Sequence, residues 1–284
     1  ADVEHRVAGF RQLLKQGKFG SASELLKEMM AANPEDQNIQ LSLALIYLYQ
    51  NQLEEAEQRI EQLHQSSPDS LSVIAARVEL AIRKKQPQLA MQICNEAIAR
   101  NENSQLYTLR AVTSAKIGDP EQAAKDLKKM LALNQNSRDS LLQAGELFIF
   151  IGKAQEAGSV LEQAAALYPD DFAVLKKVAL VYARDPQKRG AAMLFLDRAL
   201  AMQPKDPQLC LLKGQFLLDE NTAVSAEKGE SIIARLLLEN PRMEAAWAAL
   251  AEWHYRSAQA GRAMDYVLRG LGFFPESKSL LLLK

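Results

Sequence analysis

Chemically reactive residues are scarce in this chain. There are two cysteines, Cys94 and Cys210, and three scattered histidines, His5, His64 and His254. Neither a Cys-x-x-Cys pair nor a His-Glu-x-x-His helix is present, so no ligand set for zinc is expected. Cys94 falls on an apolar helix face and reads as core. Cys210 reads as buried filler too, and cysteines in non-adjacent segments rarely come within disulfide reach. The redox compartment therefore stays open.

Glycine-rich phosphate loops are also missing. Gly17-Lys18 and Gly152-Lys153 lack the rest of such a loop, and Gly270-Leu271-Gly272 has no third glycine. There is no Gly-x-Ser-x-Gly elbow. Carboxylates such as Glu54, Glu55 and Glu57 lie beside Arg59 on what reads as a solvated helix face. Catalysis is not expected, nor is any cofactor. A net charge of −1 gives no reason to expect nucleic acid or an anionic membrane as partner. No apolar run approaches the roughly 18 residues that span a bilayer, and Leu43 to Tyr49 fits a buried helix face instead.

What the chain does have is a period. A small residue recurs at Ala22, Ala56, Ala90, Ala123, Ala157, Ala192, Gly229 and Ala263, with gaps of 34, 34, 33, 34, 35, 37 and 34. A period near 34 marks stacked helical hairpins, each too small to bury its own apolar face. Four residues after each small one comes Leu26, Ile60, Cys94, Leu127, Leu161, Leu196, Ile233 or Val267. Seven after it comes Met29, Leu63, Ala97, Met130, Ala164, Ala199, Leu236 or Gly270. Those spacings place all three on one helix face. Twelve residues on, Pro34, Pro68, Pro169, Pro204, Pro241 and Pro275 stop the helix, with Glu102 and Gln135 in the two repeats that lack proline. The preceding helix has its own small contact at Ala44, Ala111, Gly145, Ala179, Gly214 and Ala251. Gly17, Gly118 and Gly152 lie in the short turns between the helices, where a helix C-terminus favours glycine.

These columns resemble the tetratricopeptide repeat family over nearly the whole chain. The unit Ala246-Trp247-Ala248-Ala249-Leu250-Ala251, followed by Ala263 and Pro275, has the family's Trp, Leu, small residue, Ala and Pro in order. Leu43, Ala44, Tyr47, Ala56 and Pro68 make a similar set. Gly9 with Phe10, and Arg77 with Val78, depart from the pattern. The resemblance implies an all-α, right-handed superhelical solenoid of about eight antiparallel helix pairs. It forms one domain over 1–284, with units near 3–36, 37–70, 71–103, 104–137, 138–171, 172–206, 207–242 and 243–276, and a further helix starting in 277–284.

The resemblance also implies a protein-interaction scaffold whose first helices line a concave groove for a partner peptide or helix. Its middle column would be Arg11, Leu45, Glu79, Val112, Glu146, Leu180, Gln215 and Glu252. A second column, at the helix ends, would be Lys15, Tyr49, Arg83, Lys116, Phe150, Arg184, Asp219 and Arg256. The groove candidates are thus Leu45, Tyr49, Glu79, Arg83, Lys116, Glu146, Phe150, Arg184, Glu252 and Arg256. Tyr49 and Phe150 are expected as anchors, because aromatics supply large contact area, or else as packing against the neighbouring unit. The paired Lys and Asn with which some family members hold acidic chaperone tails are not at the matching places. Those read Leu41 with Leu45, Ala75 with Glu79, and Leu142 with Glu146.

Two turns are longer than the period requires: Asp185 to Gly190 by one residue and Asp219 to Lys228 by three. Such turns are either contact sites or neutral insertions. The run Leu280 to Leu283 reads as the start of another unit, as in a fragment of a larger protein, so the compartment, cytoplasmic or periplasmic, stays open. Two other roles are compatible with these features. One is a regulatory or assembly arm of a larger enzyme or envelope and exopolysaccharide export protein. The other is a homo-oligomerising module.

Overall fold

In the computed structural model of the chain, residues 10, 12–13, 16–220 and 222–284 are described. His5, Gly9, Arg11 and Lys15, named above, lie outside them. The first helices of the pairs are α2 (Gln37–Tyr49), α4 (Leu71–Arg83), α6 (Ser104–Lys116), α8 (Arg138–Phe150), α10 (Phe172–Tyr182), α12 (Pro207–Asp219), α14 (Glu244–Arg256) and the short α16 (Lys278–Leu281). The second helices are α1 (Phe19–Ala32), α3 (Leu53–Ser66), α5 (Pro87–Arg100), α7 (Pro120–Leu133), α9 (Ala154–Leu167), α11 (Arg189–Met202), α13 (Ala223–Glu239) and α15 (Ala260–Phe273). Among the described residues all regular structure is helical, in stacked antiparallel pairs. The helices group into two compact units, one ending at Ala157 and the other running from Gly158 to Lys284.

In the first unit, Ala22, Ala56, Ala90 and Ala123 are fully buried, as are Leu26, Ile60, Cys94 and Leu127 in the next column. Leu43, Ala44, Ile46 and Tyr47 of α2 pack among Ala22, Leu26 and Met29 of α1 and Ile60 of α3. A leucine or isoleucine among them contributes roughly 1.5–3 kcal/mol when fully buried. A partly buried ion pair joins α6 to α7. Arg110 donates from Nε and Nη2 to the two oxygens of Asp126, at 2.9 and 2.7 Å.

In the second unit the same columns close around Ala192, Leu196, Ile233, Val267 and Trp247. Trp247 donates from its indole nitrogen to the Pro241 carbonyl at 2.9 Å. The α12–α13 pair carries glycine in both small columns. A Cβ built on Gly229 would lie 2.7 Å from the Gly214 carbonyl oxygen, so the two backbones nearly touch.

Helix boundaries have local causes. Asp36, Asn103, Ser137, Asp171 and Asp206 cap α2, α6, α8, α10 and α12 by accepting backbone N–H bonds. α1, α3, α9, α11, α13 and α15 each end two residues before the repeat's proline. α5 and α7 end at the same phase without one. The three extra residues of the long turn are not loop. They lengthen α13 to 17 residues against 14 for α3, with Thr222 as cap. One added helical turn keeps Gly229 and Ile233 facing inward. The other long turn folds into a 3-10 segment, Pro186–Lys188, capped by Asp185.

The short turns share one backbone device. Gly17, Asn51, Lys85, Gly118, Gly152 and Ala258 occupy one column and all have positive φ, from 58° at Ala258 to 85° at Gly118. In this left-handed region a Cβ costs about 1–2 kcal/mol. Glycine's greater freedom in the unfolded chain takes back about 0.4–1 kcal/mol. Ala258→Gly is therefore expected to stabilise the chain by roughly 0.5–1 kcal/mol, read as a higher urea midpoint. A lower midpoint would contradict the assignment of strain to that turn.

Candidate functional site

First helices of successive pairs touch one another in the first unit: α2 meets α4, and α4 meets α6. They make a wall with two adjoining recesses, which share Ala75, Leu109 and Val112. The recess toward the C-terminal ends of the helices has a volume of about 640 Å³. It is lined by Leu41, Leu45, Leu48 and Tyr49 of α2, Ala75, Glu79, Ile82 and Arg83 of α4, and Leu109, Val112 and Lys116 of α6, among others. The recess toward the N-terminal ends, about 920 Å³, is lined by Leu71, Ser104, Gln105, Thr108, Asp139, Leu142, Gln143 and Glu146 with the shared residues.

The structure thus brings together Leu45, Tyr49, Glu79, Arg83 and Lys116 and places Glu146 in the adjoining recess. Phe150 is 67% exposed and stands outside the lining of both.

The basic residues at the helix ends are held by a carboxylate. Glu79 accepts from Arg83 Nε at 2.9 Å and from Lys116 Nζ at 2.7 Å. Arg83 also lies over the Tyr49 ring, 5.6 Å from its centroid, and Tyr49 stacks on Phe19 at 5.7 Å. A chain of contacts therefore runs from α1 through α2 and α4 to α6. Tyr49, expected either as an anchor or as packed against the neighbouring unit, is one link in it, although 65% of the residue remains exposed. Burial alone would raise the Glu79 carboxyl, but the bonds from Lys116 and Arg83 outweigh it and hold the group below its ordinary value. At this exposure each ion pair contributes about 0.2–1 kcal/mol. The link to Arg83 is legible as an i, i+4 spacing, whereas Lys116 lies 37 residues away and nothing local announces it.

The second unit repeats the wall with α10, α12 and α14. Its recess, about 280 Å³, is lined by Ala183, Leu212, Gln215, Phe216, Asp219, Ala249, Glu252, Trp253 and Arg256, among others. Arg256 pairs with Glu252 at 3.4 Å. Arg184 is exposed and outside this lining. The aromatics here, Phe216 and Trp253, are not among the residues picked from the sequence; each directly follows one of the middle-column residues, Gln215 and Glu252. Arg189 sits 4.6 Å over the Phe216 ring and donates to the Phe216 carbonyl at 2.6 Å.

Neither wall presents an activated nucleophile from cysteine. Cys94 is buried, its thiol pushed up to about 11 by desolvation. Among the described residues, no helix is long and apolar enough to cross a membrane, and no three His, Cys, Asp or Glu side chains are grouped to hold a metal.

Comparison with known proteins agrees with this architecture. Two tetratricopeptide repeat profiles match residues 13–76 and 142–207. BBSome complex member BBS4 of Bos taurus is 23% identical over 286 residues, covering 88% of this chain and 54% of that protein. The human FK506-binding protein-like is 41% identical over 75 residues, 26% of this chain and 21% of that one. Among solved structures, yeast Tom70 superposes with a TM-score of 0.62 at 16% identity, covering 93% of this chain and 57% of Tom70. A MamA fragment from Desulfovibrio magneticus RS-1 gives 0.52 at 20% identity, covering 62% of this chain and 97% of the fragment. The chain spans about half the length of the bovine relative and of Tom70. At these identities the structural likenesses concern the fold.

The Glu79 bonds make stability depend on pH in a definite direction. A carboxyl held below its ordinary value of 4.5 contributes stability above that pH and loses it as pH falls through the lower, folded value. Glu79→Gln is expected to lower the urea midpoint at neutral pH, with the difference from wild type closing as pH falls below the ordinary carboxylate value and through the lower, folded one. An equal deficit at neutral and acidic pH would show that the carboxylate's charge is not what holds Arg83 and Lys116.

Proposed function

The chain is a tetratricopeptide repeat protein, and we propose that the wall formed by α2, α4, α6 and α8 holds a peptide or short helix of a partner protein. The observation that supports this reading is the pair of adjoining recesses. Their lining combines apolar side chains, Leu45, Ile82, Leu109, Val112 and Leu142, with polar and charged ones. Helices fixed by their own core do not have to reorganise to receive a ligand, which lowers the ordering cost of binding. Repeat proteins of this family are in general scaffolds without catalytic chemistry, and the function inferred here is binding and not catalysis.

Self-association is a second reading. Leu268, Phe273, Leu281 and Leu282 in α15, α16 and the residue after it are exposed, Leu282 by 88%. Exposed apolar groups of this kind mark contact surfaces.

A photo-crosslinking amino acid placed at Leu45, at Val112 or at the outer-face position Lys128 separates the readings in the protein's own cells. Adducts with another protein at Leu45 and Val112, and none at Lys128, are the expected result. Adducts confined to Lys128 would overturn recognition by the first helices, and adducts with a second copy of the chain would favour self-association.

A further inference from the structure

The two recesses differ in charge, and that difference specifies the partner more closely. Resting on the groove reading above, we propose that the first unit's wall selects a partner segment combining aliphatic anchors with an acidic side chain, the acid directed at Arg83 and Lys116. In the recess at the C-terminal ends of the helices, the charged lining residues are Glu79, Arg83 and Lys116, a net positive set. The lining of the other recess contains Asp139 and Glu146 and neither lysine nor arginine. Asp139 in that second recess is already paired with Arg138, and a carboxylate on the ligand is drawn to the first recess.

The two cations are already positioned to receive it. Arg83 bonds to Glu79 through Nε, so the Nη1 and Nη2 edge of its guanidinium is not the edge that Glu79 occupies. Lys116 uses one of its three N–H donors on Glu79, and its side chain is 43% exposed. Both nitrogens bond to the oxygens of a single carboxylate, which keeps the cations side by side. The Tyr49 ring holds the guanidinium from a third side. An incoming Asp or Glu meets donors that have already lost much of their freedom, and its apolar neighbours meet Leu45, Ile82 and Val112.

A phage-displayed library of random dodecapeptides, panned against the full chain, tests this. Selected peptides are expected to carry Asp or Glu at a fixed spacing from Leu, Ile, Met or Phe. By fluorescence anisotropy, a selected peptide should bind about tenfold more weakly to Lys116→Ala, equivalent to about 1.4 kcal/mol. It should bind unchanged to the outer-face variant Lys128→Ala. A peptide with Lys in place of its acid should regain affinity for Lys116→Glu. That exchange also answers the objection that the variant merely misfolds. Neutral or basic peptides that are lost with Leu45→Asp but insensitive to Lys116→Ala would overturn this inference and leave groove recognition standing. Peptides indifferent to both substitutions, or no enrichment at all, would overturn both.

Discussion

The helix pairs pack on a buried column of alanine and glycine, and where it is glycine on both helices, at Gly214 and Gly229, there is no room for a larger side chain. In α12 with α13, a Cβ on Gly229 would come within 2.7 Å of the Gly214 carbonyl oxygen. Close approach is what lets the flanking columns, such as Leu26 and Ile60, reach complete burial. Extra volume in a packed core costs about 1–3 kcal/mol per site, so the column tolerates little change. Because one pair cannot bury its own apolar face, each pair depends on the next, and a wall of first helices follows from that dependence.

The wall has a chemical character that the core does not dictate. Its lining is partly aliphatic, and Arg83 and Lys116 are tied to the Glu79 carboxylate, Arg83 also to the Tyr49 ring. Cations at helix C-termini are favourable in themselves because they offset the helix dipole, by about 0.3–1 kcal/mol each. Arg83 and Lys116 satisfy that local preference and, through Glu79, also link one repeat to the next.

The fold was legible from the small-residue column and its companions at four and seven residues, since burial at those positions leaves an arithmetic trace. Other features left a weaker trace or none. The left-handed turn position is announced by Gly17, Gly118 and Gly152, but Lys85 and Ala258 adopt it at some cost because the stacked helices on either side impose it. The extra length before Gly229 looked like a loop in the spacing, yet three residues nearly complete a helical turn and were absorbed into α13. The site was half legible. Column positions identified Leu45, Tyr49, Glu79, Arg83 and Lys116 as neighbours, but not their pairing, because contacts between repeats depend on the stacking angle and not on local order. Phe150 and Arg184 share the column with them yet fall outside the recesses, and Trp253 and Phe216 fall inside from adjacent positions.

The most direct test of the account is where a ligand leaves its mark on the methyl groups of the full chain. In a methyl NMR titration with a peptide selected on the protein, the shifts are predicted to concentrate at Leu45, Ile82, Leu109 and Val112. Leu194 and Leu238, exposed on second helices by 60% and 81%, should stay unmoved. Shifts centred on Leu194 or Leu238, with Leu45 and Val112 unchanged, would place recognition on the second helices and contradict it.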